Sequence, residues 1–400
     1  MSLAPAARPF TVFLIAGEES GDQLAAGLMQ ALRGRIPEAR FLGVGGERMA
    51  RLGLRSLFPM GEIALHGITA VLRKLPELLR LIRSTARAVI EAKPDVLVIV
   101  DSPDFNLRVA KAVRMADPSI AIVDYVSPSV WVWRSGRARA MRPYVDHVLA
   151  LLPFEPGVHH RLGGPPCTYV GHPLIERLDA LRPAPGERPP LAAGAGPTLL
   201  VLPGSRRSEV SRLLAPFGET VRLLAARIAG LEVVVPAVTR FAAEIRAACG
   251  GWGVPVAVVE GEAAKFAAFR RAHAALAASG TVTLELALAG VPMVVAYRVD
   301  PLAKLLKPFV TAGMKGPVKS IVLPNLILAA KAIPEFIDGD SAPANLAAAL
   351  TPLLADTPQR RRQVEAMARL DAVMSTEGIA PSEKAAAIVI ETAADRRAAA

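Results

Sequence analysis

The sequence predicts an α/β protein of two doubly wound domains, and three observations carry that prediction. Short, uninterrupted apolar runs alternate with helical patterns along the whole chain. The 400 residues exceed what one hydrophobic core usually organises. A segment without periodicity, RPAPGERPPLAAGAGP (Arg182 to Pro197), divides the runs into two groups.

Taken in order, FTVFLIA, ARFLGVG, DVLVIVD, AIVDYVS, HVLALL and TYVG read as strands before residue 172. TLLVLPG, LEVVVPAV, VPVAVVE, AALAAS and PMVVAY follow after residue 197. Strands that are apolar throughout, each followed by a helix, belong to parallel sheets buried on both faces. The first helix begins after AGEESGD (Ala16 to Asp22), with Leu24, Leu28, Met29 and Leu32 at helical spacing. The expected organisation is an N-terminal domain over 1–181, a linker or external loop over 182–197 and a second domain over 198–358. A helical tail over 359–400 follows, whose docking the sequence leaves open.

The segment from Gly61 to Lys93 does not fit a plain sheet-and-helix unit. Pro76 suits the first turn of a second helix. Leu75, Leu78, Leu79, Leu81, Ile82, Ala86, Val89 and Ile90 form an apolar stripe wider than one core face requires. The stripe is flanked by Arg80, Arg83, Arg87 and Lys93. Such a surface suits an anionic membrane or acyl chains; on periodicity alone a core helix with snorkelling basic residues is slightly favoured.

Lys plus Arg number 47 against 36 Asp plus Glu, giving a formal net charge of +11. The excess gathers at Arg73, Lys74, Arg80, Arg83, Arg87 and Lys93, and again at Arg134, Arg137, Arg139 and Arg142. Such patches suit nucleic acid, anionic lipid or phosphorylated substrates, or are solvated helix faces. Only 5% of residues are aromatic and no nucleic-acid motif occurs, which argues against a nucleic-acid-binding protein. Cys167 and Cys249 form no metal or disulfide spacing, so a reducing, cytosolic compartment is expected. The apolar run after Arg8 lacks a small-x-small cleavage site and reads as a core strand. Ala274 to Tyr297 is interrupted by Glu285, Gly290 and Pro292 and does not read as a membrane span.

Candidate chemistry lies at strand ends. GVGGER (Gly43 to Arg48) places Arg48 where a dinucleotide fingerprint needs its third glycine, so a tight turn is expected. DGD (Asp338 to Asp340) is expected to cap a helix through Asp340 or Ser341 rather than hold a metal. His159 and His160 lack a metal-binding partner at helical spacing. No metal site and no cofactor are expected. In VIVDSPDFN (Val98 to Asn106), Asp101 emerges from a buried strand, where catalytic groups of open α/β sheets gather; an Asp capping the next helix fits the pattern equally. LPGSRRSEV (Leu202 to Val210) lets backbone approach a ligand at Gly204 and Ser205 and offers Arg206 to a phosphate. In ASGTVTLELALAG, amides of Ser279, Gly280 and Thr281 at a helix start suit a diphosphate, and Glu285 suits a ribose. The acidic AGEESGD turn is thereby left to handle hydroxyl groups or protons.

Together AGEESGD, MGEIALHGI, IVDSPDFN, YVSPSVWVWR, LLPFE, VGHPL, LPGSR, ASGTVTLE and VLPN stand in the order found in the lipid-A-disaccharide synthases. The sequence resembles that family from roughly residue 12 to 337. The resemblance implies a GT-B glycosyltransferase, with two Rossmann-like domains facing a cleft. It implies inverting, metal-independent condensation of UDP-2,3-diacylglucosamine with 2,3-diacylglucosamine 1-phosphate.

Carried over, Asp101 is the expected base and Glu18 a second catalytic carboxylate. Gly204, Ser205, Arg206, Ser279, Gly280, Thr281, Glu285 and Asn325 are the expected UDP contacts. Both substrates carry acyl chains, so Ile68, Val71, Leu72, Leu75, Leu78, Leu79, Leu81 and Ile82 are expected to meet acyl chains or membrane. The expected location is the cytoplasmic face of the inner membrane, with peripheral attachment; a homodimer stays open. After VLPN the family often carries a Gly-Arg-Glu cluster where this chain has Ala329, Ala330 and Lys331. The alternatives are a UDP-N-acetylglucosamine 2-epimerase and a glycosyltransferase with another acceptor, since fold alone does not separate them.

Overall fold

β1 (Thr11–Ala16), β2 (Arg40–Val44), β3 (Val96–Val100), β4 (Ala121–Tyr125), β5 (His147–Ala150) and β6 (Cys167–Tyr169) form one sheet. All are parallel, in the order β2-β1-β3-β4-β5-β6. The computed structural model describes residues 8–63, 75–132, 134–191, 196–298 and 320–399. Strands such as VLVIV of β3 are buried along their whole length because both faces are covered. On one face Val12, Leu14 and Val98 pack with Leu28, Met29 and Leu32 of the helix Glu19–Arg35 and with Val389 of the helix Pro381–Ala399. On the other, Phe13, Ile15, Leu97 and Ile99 meet the helices Leu75–Ala92 and Pro103–Ala116.

A second parallel sheet contains β7 (Thr198–Leu202), β8 (Glu232–Ala237), β9 (Val256–Glu260), β10 (Ala274–Ala278), β11 (Met293–Tyr297) and β12 (Glu335–Ile337), in the order β12-β11-β10-β7-β8-β9. Leu199, Val201 and Leu276 pack there against Leu213, Phe217 and Val221 of the helix Arg207–Ala225. In each sheet the strand order reverses beside the first strand, between β1 and β3 and between β7 and β10. The polar groups that follow those strands are therefore brought to one crevice in each sheet.

The chain divides into Met1–Glu176 with Thr376–Ala400, and Arg177–Ser375. The boundary expected at 181 falls five residues earlier, and the tail belongs to both units. The helix Pro358–Ala368 stays with the second, while Pro381–Ala399 lies against the first sheet. The supposed linker is bound to the second unit. The Arg188 guanidinium donates to the carbonyls of Phe269 and Arg270 at 3.2 and 3.3 Å, and of Ala289 and Gly290 at 2.9 Å each. Those carbonyls end the helices Glu262–Arg271 and Thr281–Leu288, where a cation complements the dipole and fills orphan acceptors.

Two smaller expectations also change. The helix Pro343–Leu350 starts from Ala342 without a side-chain cap. Ser341 Oγ instead donates to Asp338 O at 2.6 Å and accepts from Arg298 Nε at 3.0 Å, closing the DGD turn. Leu81 and Ile82 are 6% and 9% exposed and belong to the core, so they are not membrane or acyl contacts. The outer edge of that helix is formed by Leu75 and Leu79, at 38% and 37% exposure, with Leu78 half-buried. Ile68, Val71 and Leu72 lie outside the described residues.

Candidate active site

In the first unit, β1 and β3 pair through Ala16 and Val100, so the turns after them are neighbours. Gly17 is required there, because a Cβ would stand 2.0 Å from Ser102 Oγ. Asp101 and Ser102 have φ of 55° and 44°, left-handed conformations that cost non-glycine residues energy and persist only where the surroundings enforce them. The buried Asn106 supplies that enforcement. Its Nδ2 donates to Asp101 O at 2.7 Å, Val100 O at 3.1 Å and Ile15 O at 3.3 Å, tying the two strand ends together. Asp101 N also donates to Tyr125 O of β4 at 3.1 Å.

Glu18 occupies the N-cap position of the helix Glu19–Arg35, at the partly exposed strand end. Asp22 has a structural role that sequence reasoning missed. Buried, it accepts from the amides of Gly46, Arg48 and Met49 at 2.8, 2.9 and 3.2 Å. It thereby caps the GVGGER turn, whose tightness the sequence anticipates.

The loop after β4 carries a buried polar network, shared with the helix Glu155–Leu162. Glu155 accepts from Leu152 N at 2.9 Å and Trp131 Nε1 at 3.3 Å, and Ser127 Oγ lies 2.9 Å from His159 Nε2. Burial pushes the Glu155 carboxyl up to about 7 and the His159 imidazole down to about 4. Asp124 on β4 is 3% exposed and held well above the carboxylate range by burial, with Asp101 adding to the shift. Of these, Ser127, Trp131 and Glu155 fall in YVSPSVW and LLPFE, segments the sequence marks without assigning their side chains.

In the second unit, β7 and β10 pair at Leu202 and Ala277. The turns beyond them line a cavity of ≈ 330 Å³ with Gly204, Ser205, Arg206, Glu209, Lys265, Ser279, Gly280, Thr281 and Glu285. Gly204 has φ 113°, and a Cβ there would stand 2.4 Å from Glu209 Oε2. That Glu209 oxygen accepts from the amides of Ser205 and Arg206 at 3.0 and 3.3 Å, holding the LPGSR turn at the start of the helix Arg207–Ala225. Arg206 is 62% exposed at the cavity and lies 3.3 Å from Glu209 Oε1.

Gly280, at φ 155°, turns the chain into the helix Thr281–Leu288, whose first amides lie beyond reach of intrahelical carbonyls. Ser279 Oγ donates to Ile321 O at 2.7 Å. Glu285 receives Lys265 Nζ at 3.0 and 2.9 Å on its two oxygens. Lys265 lies in a helix without motif, so no signal in the sequence singled it out. Asn325 departs from expectation. It is fully buried, and its amide exchanges hydrogen bonds with Ile333 O and N at 2.8 and 2.9 Å, so in this structure it braces the loop instead of lining the cavity.

Two Rossmann-like units with polar switch points define a protein of GT-B architecture, and solved structures share it. The glycotransferase of kitacinnamycin superposes with TM-score 0.60 at 16% identity, covering 96% of this chain and 99% of that one. A UDP-N-acetylglucosamine 2-epimerase from Neisseria meningitidis bound to UDP-GlcNAc gives TM-score 0.60 at 14% identity, covering 96% and 100%. Sequence comparison separates what the fold does not. A profile of the lipid-A-disaccharide synthetase family matches residues 12–389. The lipid-A-disaccharide synthase of Nitrobacter hamburgensis is 54% identical over 382 residues, 95% of each chain. The chain belongs to the lipid-A-disaccharide synthase family, glycosyltransferases of lipid A biosynthesis.

Proposed function

We propose that the protein condenses UDP-2,3-diacylglucosamine with 2,3-diacylglucosamine 1-phosphate, forming the β-1,6-linked disaccharide 1-phosphate and UDP. The family match over 12–389 is the observation that carries this reading; the strand-end geometry agrees with it. The acceptor 6-hydroxyl attacks the donor anomeric carbon and gives its proton to Asp101. The bond from that carbon to the diphosphate breaks as the new one forms, and UDP leaves with the electron pair. One displacement inverts the anomeric configuration. Glu18, at the neighbouring strand end, orients the sugars or stabilises developing positive charge.

Gly204, Ser205, Ser279, Gly280 and Thr281 hold the diphosphate through backbone and hydroxyl groups, and Glu285 receives the ribose. Arg206 and the helix N-terminus oppose the charge that grows on the leaving diphosphate. Lys265, paired with Glu285, brings a further cation to the same cavity. Leu75, Leu78 and Leu79, with the basic residues flanking them, rest on acyl chains or on the cytoplasmic face of the inner membrane.

Disaccharide 1-phosphate formation, measured in EDTA-containing buffer for wild type and Asp101→Asn, tests the reading. The variant is expected to lose about a hundredfold or more in kcat. A wild type that is inactive in detergent with every acyl length tried refutes the reaction; a fully active variant refutes the base.

A further inference from the structure

The two arginines that follow YVSPSVW converge on one oxygen atom. Arg134 Nη1 and Arg137 Nη2 both donate to Asp104 Oδ1, at 3.0 and 2.6 Å. Asp104 lies in the first turn of the helix Pro103–Ala116, three residues beyond Asp101. The two guanidiniums thus share one carboxylate oxygen. The arrangement is built rather than incidental. Arg137 has a side chain only 15% exposed, and its charge is felt by the buried Asp124 behind it.

The loop that leads to the pair has left-handed residues at Val126 (φ 89°) and at Arg134 itself (φ 51°), and Arg137 follows in the helix Gly136–Met141. Between the left-handed residues, Ser127 and Trp131 anchor the loop to His159 and Glu155. A left-handed valine is a costly conformation, and such strain is retained where a loop must present groups in one place. Asp104 itself is 67% exposed, so its carboxylate is free to be displaced by an anion of higher charge. Paired guanidiniums bind phosphate with strong, directional hydrogen bonds, and a phosphomonoester brings nearly two negative charges where Asp104 brings one.

We propose that Arg134 and Arg137 form a subsite for the phosphomonoester of the acceptor, with Asp104 as the resident counter-ion that the phosphate displaces. The proposal rests on the reaction proposed above. In that reaction the attacking hydroxyl and the phosphate stand at opposite ends of one sugar ring. Asp104 follows Asp101 by three residues, across the turn that leads from β3 into the helix, so base and subsite stand at the same strand end.

The test compares initial rates on 2,3-diacylglucosamine 1-phosphate and on 2,3-diacylglucosamine lacking the phosphate, in nonionic detergent free of anionic lipid. Wild type is expected to favour the phosphorylated acceptor strongly in kcat/KM. Arg134→Gln/Arg137→Gln is expected to lower kcat/KM for that acceptor by about a hundredfold and to change the other by less than about threefold. The milder Arg134→Gln alone loses about tenfold on the phosphorylated acceptor. Asp104→Asn moves the opposite way, lowering KM for the phosphorylated acceptor only.

Equal losses on both acceptors would mean a merely structural role and overturn the subsite. So would discrimination that survives in the double variant while its binding to anionic liposomes is lost, which would assign the arginines to lipid headgroups. A wild type inactive on both acceptors brings down the reaction and the subsite together. A wild type that discriminates, beside a double variant that discriminates equally, removes the subsite alone.

Discussion

Replacing Glu155 by Gln removes one titration from the core of the first unit, and the size of the effect follows from its burial. The carboxyl is 4% exposed and its pKa is pushed up from 4.5 to about 7, chiefly by desolvation. The folded protein therefore keeps a proton that the unfolded chain releases above pH 4.5. Stability that is fully present below pH 4.5 is lost as pH rises through 7. A shift of about 2.5 units at 1.36 kcal/mol each gives about 3 kcal/mol in total, of which roughly 2–3 kcal/mol falls between pH 5 and 8.

Glutamine does not titrate, so the stability of Glu155→Gln relative to wild type should rise by that amount over this interval. His159 acts in the opposite sense, since its depressed pKa of about 4 removes stability as pH falls from 6.5 to 4. It is present in both proteins and cancels in the comparison. Urea unfolding at pH 5, 6, 7 and 8, followed by tryptophan fluorescence with Trp131 against the altered side chain, measures the difference. Curves that run parallel within about 0.5 kcal/mol would refute the claim that Glu155 is neutral in the folded core.

Arg206→Ala is expected to lower kcat and raise the donor KM, each about tenfold or more, because the guanidinium opposes charge on the leaving diphosphate; an unchanged kcat removes Arg206 from the chemical step. Asn325→Ala strands the N-H and C=O of Ile333 and should cost about 2–3 kcal/mol of stability, with UDP affinity by calorimetry unchanged in the folded protein. Leu75→Ser/Leu79→Ser should weaken binding to anionic liposomes at low salt without altering the melting temperature by more than about 2 °C, whereas Leu81→Ala should destabilise by about 2–5 kcal/mol. Equal liposome binding by wild type and the double serine variant would return that helix edge to ordinary surface.

Legibility in the sequence follows the range of the interaction concerned. Runs such as TVFLIA and VLVIV announce buried parallel strands because every residue reports the same environment. Asp101 and Glu18 could be placed at strand ends because the ends of such runs are visible. β12 escaped, since the three residues EFI after Pro334 are too few to show a pattern. The domain boundary was misplaced because proline and glycine suggest a linker, while Arg188 finds its carbonyl acceptors some 80 to 100 residues away. Asp22 binds backbone amides 24 to 27 residues on, and amides carry no sequence signature. The stripe of the helix Leu75–Ala92 shows how wide the apolar face is, but only packing decides that Leu81 and Ile82 face inward. Lys265 and the guanidinium pair on Asp104 were likewise out of reach, because their partners lie 20 to 33 residues away without a repeating pattern.

The helix Pro381–Ala399, which completes the first sheet's face, is synthesised after the whole of the second unit. Until then Val12, Leu14 and Val98 lack the side chains of Ala385, Val389 and Ala393 that cover them. The second unit, contiguous from Arg177 to Ser375, has everything it needs beforehand. At about 5–20 residues per second, the interval between residue 176 and residue 399 is roughly 10–45 s. During that time the half of the protein made first waits with an apolar face open, and the half made second is the first to be finished.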